Sequence, residues 1–225
     1  MCSSAIRTAL FSAMLVLLPF DGYSIDVDAA GGPSLIIPRP AEYAVAEGVL
    51  PLHESIGFFI SSSMETCSGE IGEFVSYLED SGYGFYPVDR KKDAVMEFFV
   101  GRQLEGVSGK EAYNIRVTPK KILVSAETVT GAFYACQSIF QMIGLGDGRG
   151  LQCCDIYDSP RFRWRGMHFD VSRHFRSKEF IMKQLDAMAL FRMNKAHLHL
   201  TDAAGWRLKL SLIHISEPTR LDVIS

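Results

Sequence analysis

Gly166-Met167-His168-Phe169-Asp170-Val171 and Lys195-Ala196-His197-Leu198-His199-Leu200-Thr201 read as two strands, and the residues between them read as a helix. Ser177 is placed to cap that helix, and Ile181, Leu185, Met188 and Ala189 recur at helical spacing before about Met193. Strand, helix and strand with short connections make one βαβ unit, which implies parallel strands. In parallel α/β folds the chemistry gathers at the carboxyl ends of the strands. Both ends here are polar: Asp170-Val171-Ser172-Arg173-His174-Phe175 and His197-Leu198-His199-Leu200-Thr201-Asp202. Residues i and i+2 of a strand share a face, so His168 and Asp170 are expected on one face and His197 and His199 on another.

Upstream the grammar differs. Glu42 to Leu52 alternates around Glu47-Gly48 and suggests a hairpin, and Ile56 to Ile60 is a candidate strand. Thr66 to Asp80 has Ile71, Phe74, Val75 and Leu78 at helical spacing, and Gly82 follows as a stop. Val95 to Val100 reads as an apolar strand. Tyr113 to Val117 and Ile122 to Ala126 read as an antiparallel hairpin turning at Pro119-Lys120-Lys121. Val129 to Ile143 reads as a helix capped by Gly144. Antiparallel strand pairs with two helices on one face of the sheet describe a small α+β domain over residues 35–150. That span shows no convergent set of titratable residues, so it reads as a scaffold. The βαβ unit spans 158–209.

Composition narrows the function classes. The 225 residues carry 23 Lys+Arg against 26 Asp+Glu, a formal net charge of −3. No basic excess is available to grip a phosphate backbone, so nucleic acid is not expected as a partner. Residues 1–24 read as a secretory signal: Arg7, then an apolar run from Thr8 to Phe20, then the small residues Gly22 and Ser24. The run is too short to span about 30 Å of hydrocarbon comfortably. The protein is therefore expected in the periplasm or outside the cell, with no membrane span after signal removal. Cleavage removes Cys2 and leaves Cys67, Cys136, Cys153 and Cys154. An oxidising compartment permits disulfides, but adjacent cysteines such as Cys153-Cys154 are poorly placed to pair, and buried free thiols are the plainer reading.

His197-Leu198-His199 also has the form of a metal pair. No third ligand is defined, and a catalytic zinc site wants three protein ligands, so neither metal nor cofactor is expected. For Arg173 two roles stay open. It either organises the strand ends through a salt bridge to Asp170 or Asp202, or offers its planar fork to substrate oxygens.

Asp158-Ser159-Pro160-Arg161-Phe162-Arg163-Trp164-Arg165-Gly166, then Phe169 to Phe175, then His199-Leu200-Thr201-Asp202 and Gly205-Trp206-Arg207 resemble glycoside hydrolase family 20 in order and spacing. These are the exo-acting β-N-acetylhexosaminidases. Ile37-Pro38-Arg39-Pro40 and Gly131 to Ser138 resemble the family's α+β domain before its barrel. One departure is Ala203 after Asp202, where many relatives have a second aspartate. The resemblance implies an α+β domain followed by a (β/α)8 barrel. It also implies retaining, substrate-assisted removal of terminal GlcNAc or GalNAc from glycans, outside the usual two-carboxylate scheme. Arg173 would bind sugar hydroxyls, and Asp202 and His199 would line or support the pocket.

A full barrel takes about 250 residues, and only its first two strands are legible here. No Asp-Glu dipeptide, the family's catalytic pair, occurs in the sequence. The chain therefore reads as a fragment with no catalytic residue of its own. Leu210 to Arg220 resembles the translation of a transposase adapter from sequencing libraries, so residues 210–225 read as a non-native tail. Two other readings are a secreted, non-catalytic carbohydrate-binding protein and a fragment of a barrel metallohydrolase using His197 and His199.

Exported protein is expected to begin close to Ile25. N-terminal sequencing of that pool checks this, and a retained Met1 there would count against a cleaved signal.

Overall fold

The computed structural model describes residues 36–62, 67–76, 78, 82–101, 109–145, 150–202 and 205–206. The signal read over 1–24 and the tail read over 210–225 lie outside the described residues. The chain divides into two compact units between Arg161 and Phe162.

Among the described residues the first unit is a seven-stranded sheet with two α-helices. Its strands are β1 (Glu42–Leu50), β2 (Ser55–Ser62), β3 (Gly84–Pro87), β4 (Met96–Val100), β5 (Tyr113–Val117), β6 (Ile122–Ala126) and β7 (Leu151–Asp158). Its helices are α1 (Cys67–Ser76) and α2 (Val129–Leu145). The spatial order is β1-β7-β5-β6-β4-β2-β3. β5 and β6 form the hairpin read from the sequence. The expectation of antiparallel pairing fails elsewhere, because β2–β3, β2–β4 and β4–β6 are parallel and the sheet is mixed. Helix α1 lies in the β2-to-β3 connection, and such a crossover lets consecutive strands run the same way.

The hairpin expected over 42–52 is instead one strand. β1 pairs antiparallel with β7, and its register slips between Val45 and Val49. Gly48 has φ +106°, so the Glu47-Gly48 signal marks a bulge rather than a reversal. Gln152 Nε2 donates to the carbonyls of Ala46 and Gly48 and fastens the bulge. β7 extends the sheet past residue 150, and β3 was likewise not legible. Gly144 does not cap α2, which continues to Leu145.

Strand register explains the core. Ile60, Phe98, Val124, Ile115, Ile156 and Tyr43 form one row across six strands. This face packs on Ile71 and Val75 of α1 and on Ala132, Ala135 and Ile139 of α2. The opposite face holds Glu97, which is buried although charged. Lys121 Nζ donates to Glu97 Oε1, and Lys91 Nζ lies 3.5 Å from Oε2. The two ammonium groups offset the desolvation of the carboxylate. Cys136, Cys153 and Cys154 are buried free thiols, and burial pushes Cys136 and Cys154 up to about 12.

The second unit contains β8 (Gly166–Asp170), α3 (Lys178–Leu190) and β9 (Lys195–His199), with the short strands β10 (Thr201–Asp202) and β11 (Gly205–Trp206). β8 and β9 are parallel, as the βαβ reading requires. Ser177 caps α3, its Oγ accepting from the Phe180 N–H at 3.2 Å. The helix stops at Leu190, short of Met193. The Met193 N–H donates to the Met188 carbonyl and the Arg192 N–H to that of Ala189. Those two bonds define a Schellman ending, with Arg192 at φ 57° where glycine is usual. Phe169, Val171 and Met188 form the buried core, with Ile181 and Leu185 packed against it. Among the described residues no helix is long and apolar enough to cross a membrane.

A buried polar network locks the first unit. Asp158 Oδ2 accepts from the Tyr113 hydroxyl at 3.0 Å, and Oδ1 accepts from the Ala41 N–H at 3.1 Å. The Tyr113 hydroxyl also sits 2.7 Å from Ser138 Oγ on α2. Asp158→Ala removes the acceptor of both bonds and is expected to cost about 1–3 kcal/mol, the size of one buried polar group losing its partner. Urea unfolding of the first unit's signal measures it, and a change below about 0.5 kcal/mol, the size of ordinary surface substitutions, would remove Asp158 from the lock.

Candidate functional site

Residues at the carboxyl ends of β8 and β9 converge. The register pairs His168 with His197 and Asp170 with His199. Residues in register share a face of the sheet. His168, Asp170, His197 and His199 therefore all project from one face, which corrects the expectation of two faces. The rings of His168 and His197 lie 4.6 Å apart, and those of His168 and His199 6.1 Å apart, edge to face.

Asp170 ends β8 and organises the turn after it. Its Oδ1 accepts from the backbone N–H of Ser172 at 3.1 Å and of Arg173 at 3.0 Å. This aspartate-headed turn aims Arg173 back over the strand ends. Arg173 Nη1 lies 3.3 Å from Asp170 Oδ2, and its Nε donates to Asp202 Oδ2 at 2.9 Å. Asp202 is held in place by the β10–β11 ladder, which pairs Thr201 with Trp206 and Asp202 with Gly205. The salt-bridge role left open for Arg173 is thus realised with both carboxylates at once. Its guanidinium remains largely exposed, so donors are left for a ligand.

His199 Nε2 lies 3.4 Å from the same Asp202 Oδ2. It is buried, and no hydrogen bond reaches it among the described residues. The backbone bonds of Arg173 and Ser172, above all that of Arg173, hold the Asp170 carboxyl below its ordinary value, and the neighbouring His199 and Arg173 side chains add to this. Among the described residues no three His, Cys, Asp or Glu side chains are grouped to hold a metal ion, so His197 and His199 find no third ligand. Arg173, Asp202 and His199, the three residues singled out from the sequence, lie together around Asp202 Oδ2. His168 was not singled out for the site, and its signal was the period-2 pattern continued back from Asp170.

At the opposite end of the unit the two strands are clamped. Arg165 Nε donates to the Arg192 carbonyl at 2.7 Å, and the Arg165 N–H donates to Asn194 Oδ1 at 3.1 Å. Asn194 Nδ2 donates to the Arg163 carbonyl at 2.9 Å.

The model for glycosyl hydrolase family 20, domain 2, matches residues 34–159, and that for the family 20 catalytic domain matches residues 162–215. The chain belongs to glycosyl hydrolase family 20. It is 46% identical over 99 residues to N,N'-diacetylchitobiase of Vibrio harveyi, a match covering 44% of this chain and 11% of that protein. It is 31% identical over 209 residues to beta-hexosaminidase of Vibrio vulnificus, covering 91% and 23%. Among solved structures, beta-N-acetylhexosaminidase from Bacteroides fragilis matches with a TM-score of 0.67 and 28% identity, covering 79% of this chain and 35% of that one. The exo-β-N-acetylglucosaminidase of Vibrio harveyi in complex with N-acetylglucosamine matches with a TM-score of 0.63 and 25% identity, covering 84% and 29%. The chain spans no more than about a quarter of the length of these curated relatives.

Two outcomes follow from this geometry. Lysine cannot span Asp170 and Asp202 with a planar fork. In a full-length enzyme bearing this segment, Arg173→Lys is therefore expected to lower kcat/KM by roughly 10- to 100-fold, from charge-assisted bonds of about 1.5–3 kcal/mol. Steady-state kinetics beside thermal unfolding checks it, and wild-type kcat/KM per folded molecule would remove Arg173 from substrate contact. Asp170 is lowered in the folded state, so its stabilisation is present above its unfolded value of 3.8 and lost as pH falls through the folded value. Acid unfolding of the second unit should lose part of its pH dependence below about 4 in Asp170→Asn.

Proposed function

We propose that the chain is the N-terminal part of an exported, exo-acting β-N-acetylhexosaminidase. In this reading β8, α3 and β9 open a (β/α)8 barrel whose mouth carries the site. The observation that carries it is the arginine at the end of β8, held by Asp170 and Asp202 and presenting free donors. A guanidinium held at two edges is oriented before substrate arrives, which lowers the ordering cost of binding. Its remaining N–H groups suit the hydroxyls of a terminal GlcNAc or GalNAc.

The reaction we infer is retaining hydrolysis assisted by the sugar's own 2-acetamido group. The acetamido oxygen attacks the anomeric carbon as the glycosidic C–O bond breaks. A carboxylic acid protonates the departing oxygen, and water then opens the oxazolinium ring. Residues of this chain would grip and orient the terminal sugar. The acid and its neighbouring aspartate would come from further along the full-length protein, since the 225 residues contain no Asp-Glu dipeptide. The signal read over residues 1–24 would send the protein to the periplasm or beyond.

Sequencing the locus around this reading frame and assaying both forms tests the proposal. The full-length product is expected to release nitrophenol from the aryl β-N-acetylglucosaminide with retention. The purified 225-residue chain is expected to show none, since positioned proton transfer alone contributes about 10²–10⁴-fold. A complete barrel without the acid pair and without turnover would favour a sugar-binding protein. Turnover by the short chain, free of host enzyme, would overturn the assignment of roles.

A further inference from the structure

We propose that His199 is a positioning residue for Arg173, acting through Asp202, and that His168 sets the plane of the His199 ring. This rests on the reading of Arg173 as a sugar-binding residue. Asp202 Oδ2 receives Arg173 Nε at 2.9 Å and lies 3.4 Å from His199 Nε2. That nitrogen is buried and reached by no hydrogen bond among the described residues. A buried ring nitrogen without a partner costs free energy, and with the proton on Nε2 a small ring rotation toward Asp202 Oδ2 recovers it. One carboxylate oxygen can accept two donors, one from each side.

His168 limits that rotation. Its ring stands edge to face against His199 at 6.1 Å and tilted against His197 at 4.6 Å, all on one face of the β8–β9 pair. Asp170 closes the other side of Arg173 at 3.3 Å. His199 is thereby assigned to the carboxylate rather than to the sugar. Without it Asp202 can swing, and Arg173 loses one of the two carboxylates that orient it.

Imidazole-selective ¹⁵N spectra of the 225-residue chain test the contact without any need for activity. Asp202→Asn and Arg173→Gln are each expected to shift the His199 Nε2 and Hε1 signals, with the signals of exposed His53 in the first unit unmoved. His199 signals blind to both substitutions would overturn the proposal. Kinetics of the full-length enzyme test the role. His199→Phe is expected to raise KM about tenfold with kcat nearly unchanged, because uniform binding is lost. His199→Gln, whose amide N–H reaches to a similar place, is expected to restore most of the loss. In an Arg173→Lys background His199→Phe is expected to add little, since the pair acts as one unit. Additive losses would mark His199 as a direct sugar ligand, and a kcat falling with the folded fraction at unchanged KM would mark a purely structural role; either sinks the proposal. A full-length protein with no hexosaminidase activity would instead sink the functional reading, while the spectra still decide the contact.

Discussion

Two backbones meet at Gly166 more closely than a side chain permits. A Cβ there would lie 2.7 Å from the Lys195 carbonyl oxygen and 2.9 Å from Lys195 Cβ. Glycine therefore allows Gly166 to stand in register with Lys195, and every later pair of the parallel ladder follows from that one. Side chains alternate with period 2, so a slip of one residue would send His197 and His199 to the other face, away from Asp170. The Arg165–Asn194 clamp reinforces the same start, tying the entry of β8 to the turn that precedes β9. The polar cluster at the far end is a consequence of this register.

The cluster itself contributes orientation more than stability. Arg173 is largely exposed and its carboxylates partly so, and ion pairs that face solvent add little stability. What they supply is direction. Asp170 ties down the backbone of the turn while Asp202 holds the guanidinium edge. In the proposed sugar-binding role, a ligand would meet a donor array already set, so less binding energy would go into ordering side chains.

The first unit solves a different problem. Its sheet buries one face under two helices, and the polar groups trapped there are matched internally. Tyr113, Ser138 and Asp158 satisfy one another, and Gln141 exchanges two bonds with the backbone of Ile37. These contacts fasten the lead-in before β1 and the last residue of β7 to the core, so both ends of the sheet's chain are fixed. Glu97 is the exception in chemistry, a buried carboxylate on the other face that needs two lysines from separate turns.

Local signals were legible in the sequence wherever the cause was local. Ser177 capping α3, the Pro119-Lys120-Lys121 turn between β5 and β6, and the βαβ order all depend on residues close along the chain. So do the polar clusters at the two strand ends, which follow from period and order, whereas the choice of Arg173, Asp202 and His199 among them came from the family resemblance. Tertiary structure decided what depends on partners remote in sequence. β1 is one bulged strand because β7, more than a hundred residues later, pairs along it, and no local pattern at Glu47-Gly48 separates a bulge from a turn. The parallel strands of the mixed sheet were hidden for the same reason, since alternation reports a buried face and not the direction of the neighbour. That the three histidines and Asp170 share one face was decided by register between two strands, a relation that neither strand carries alone.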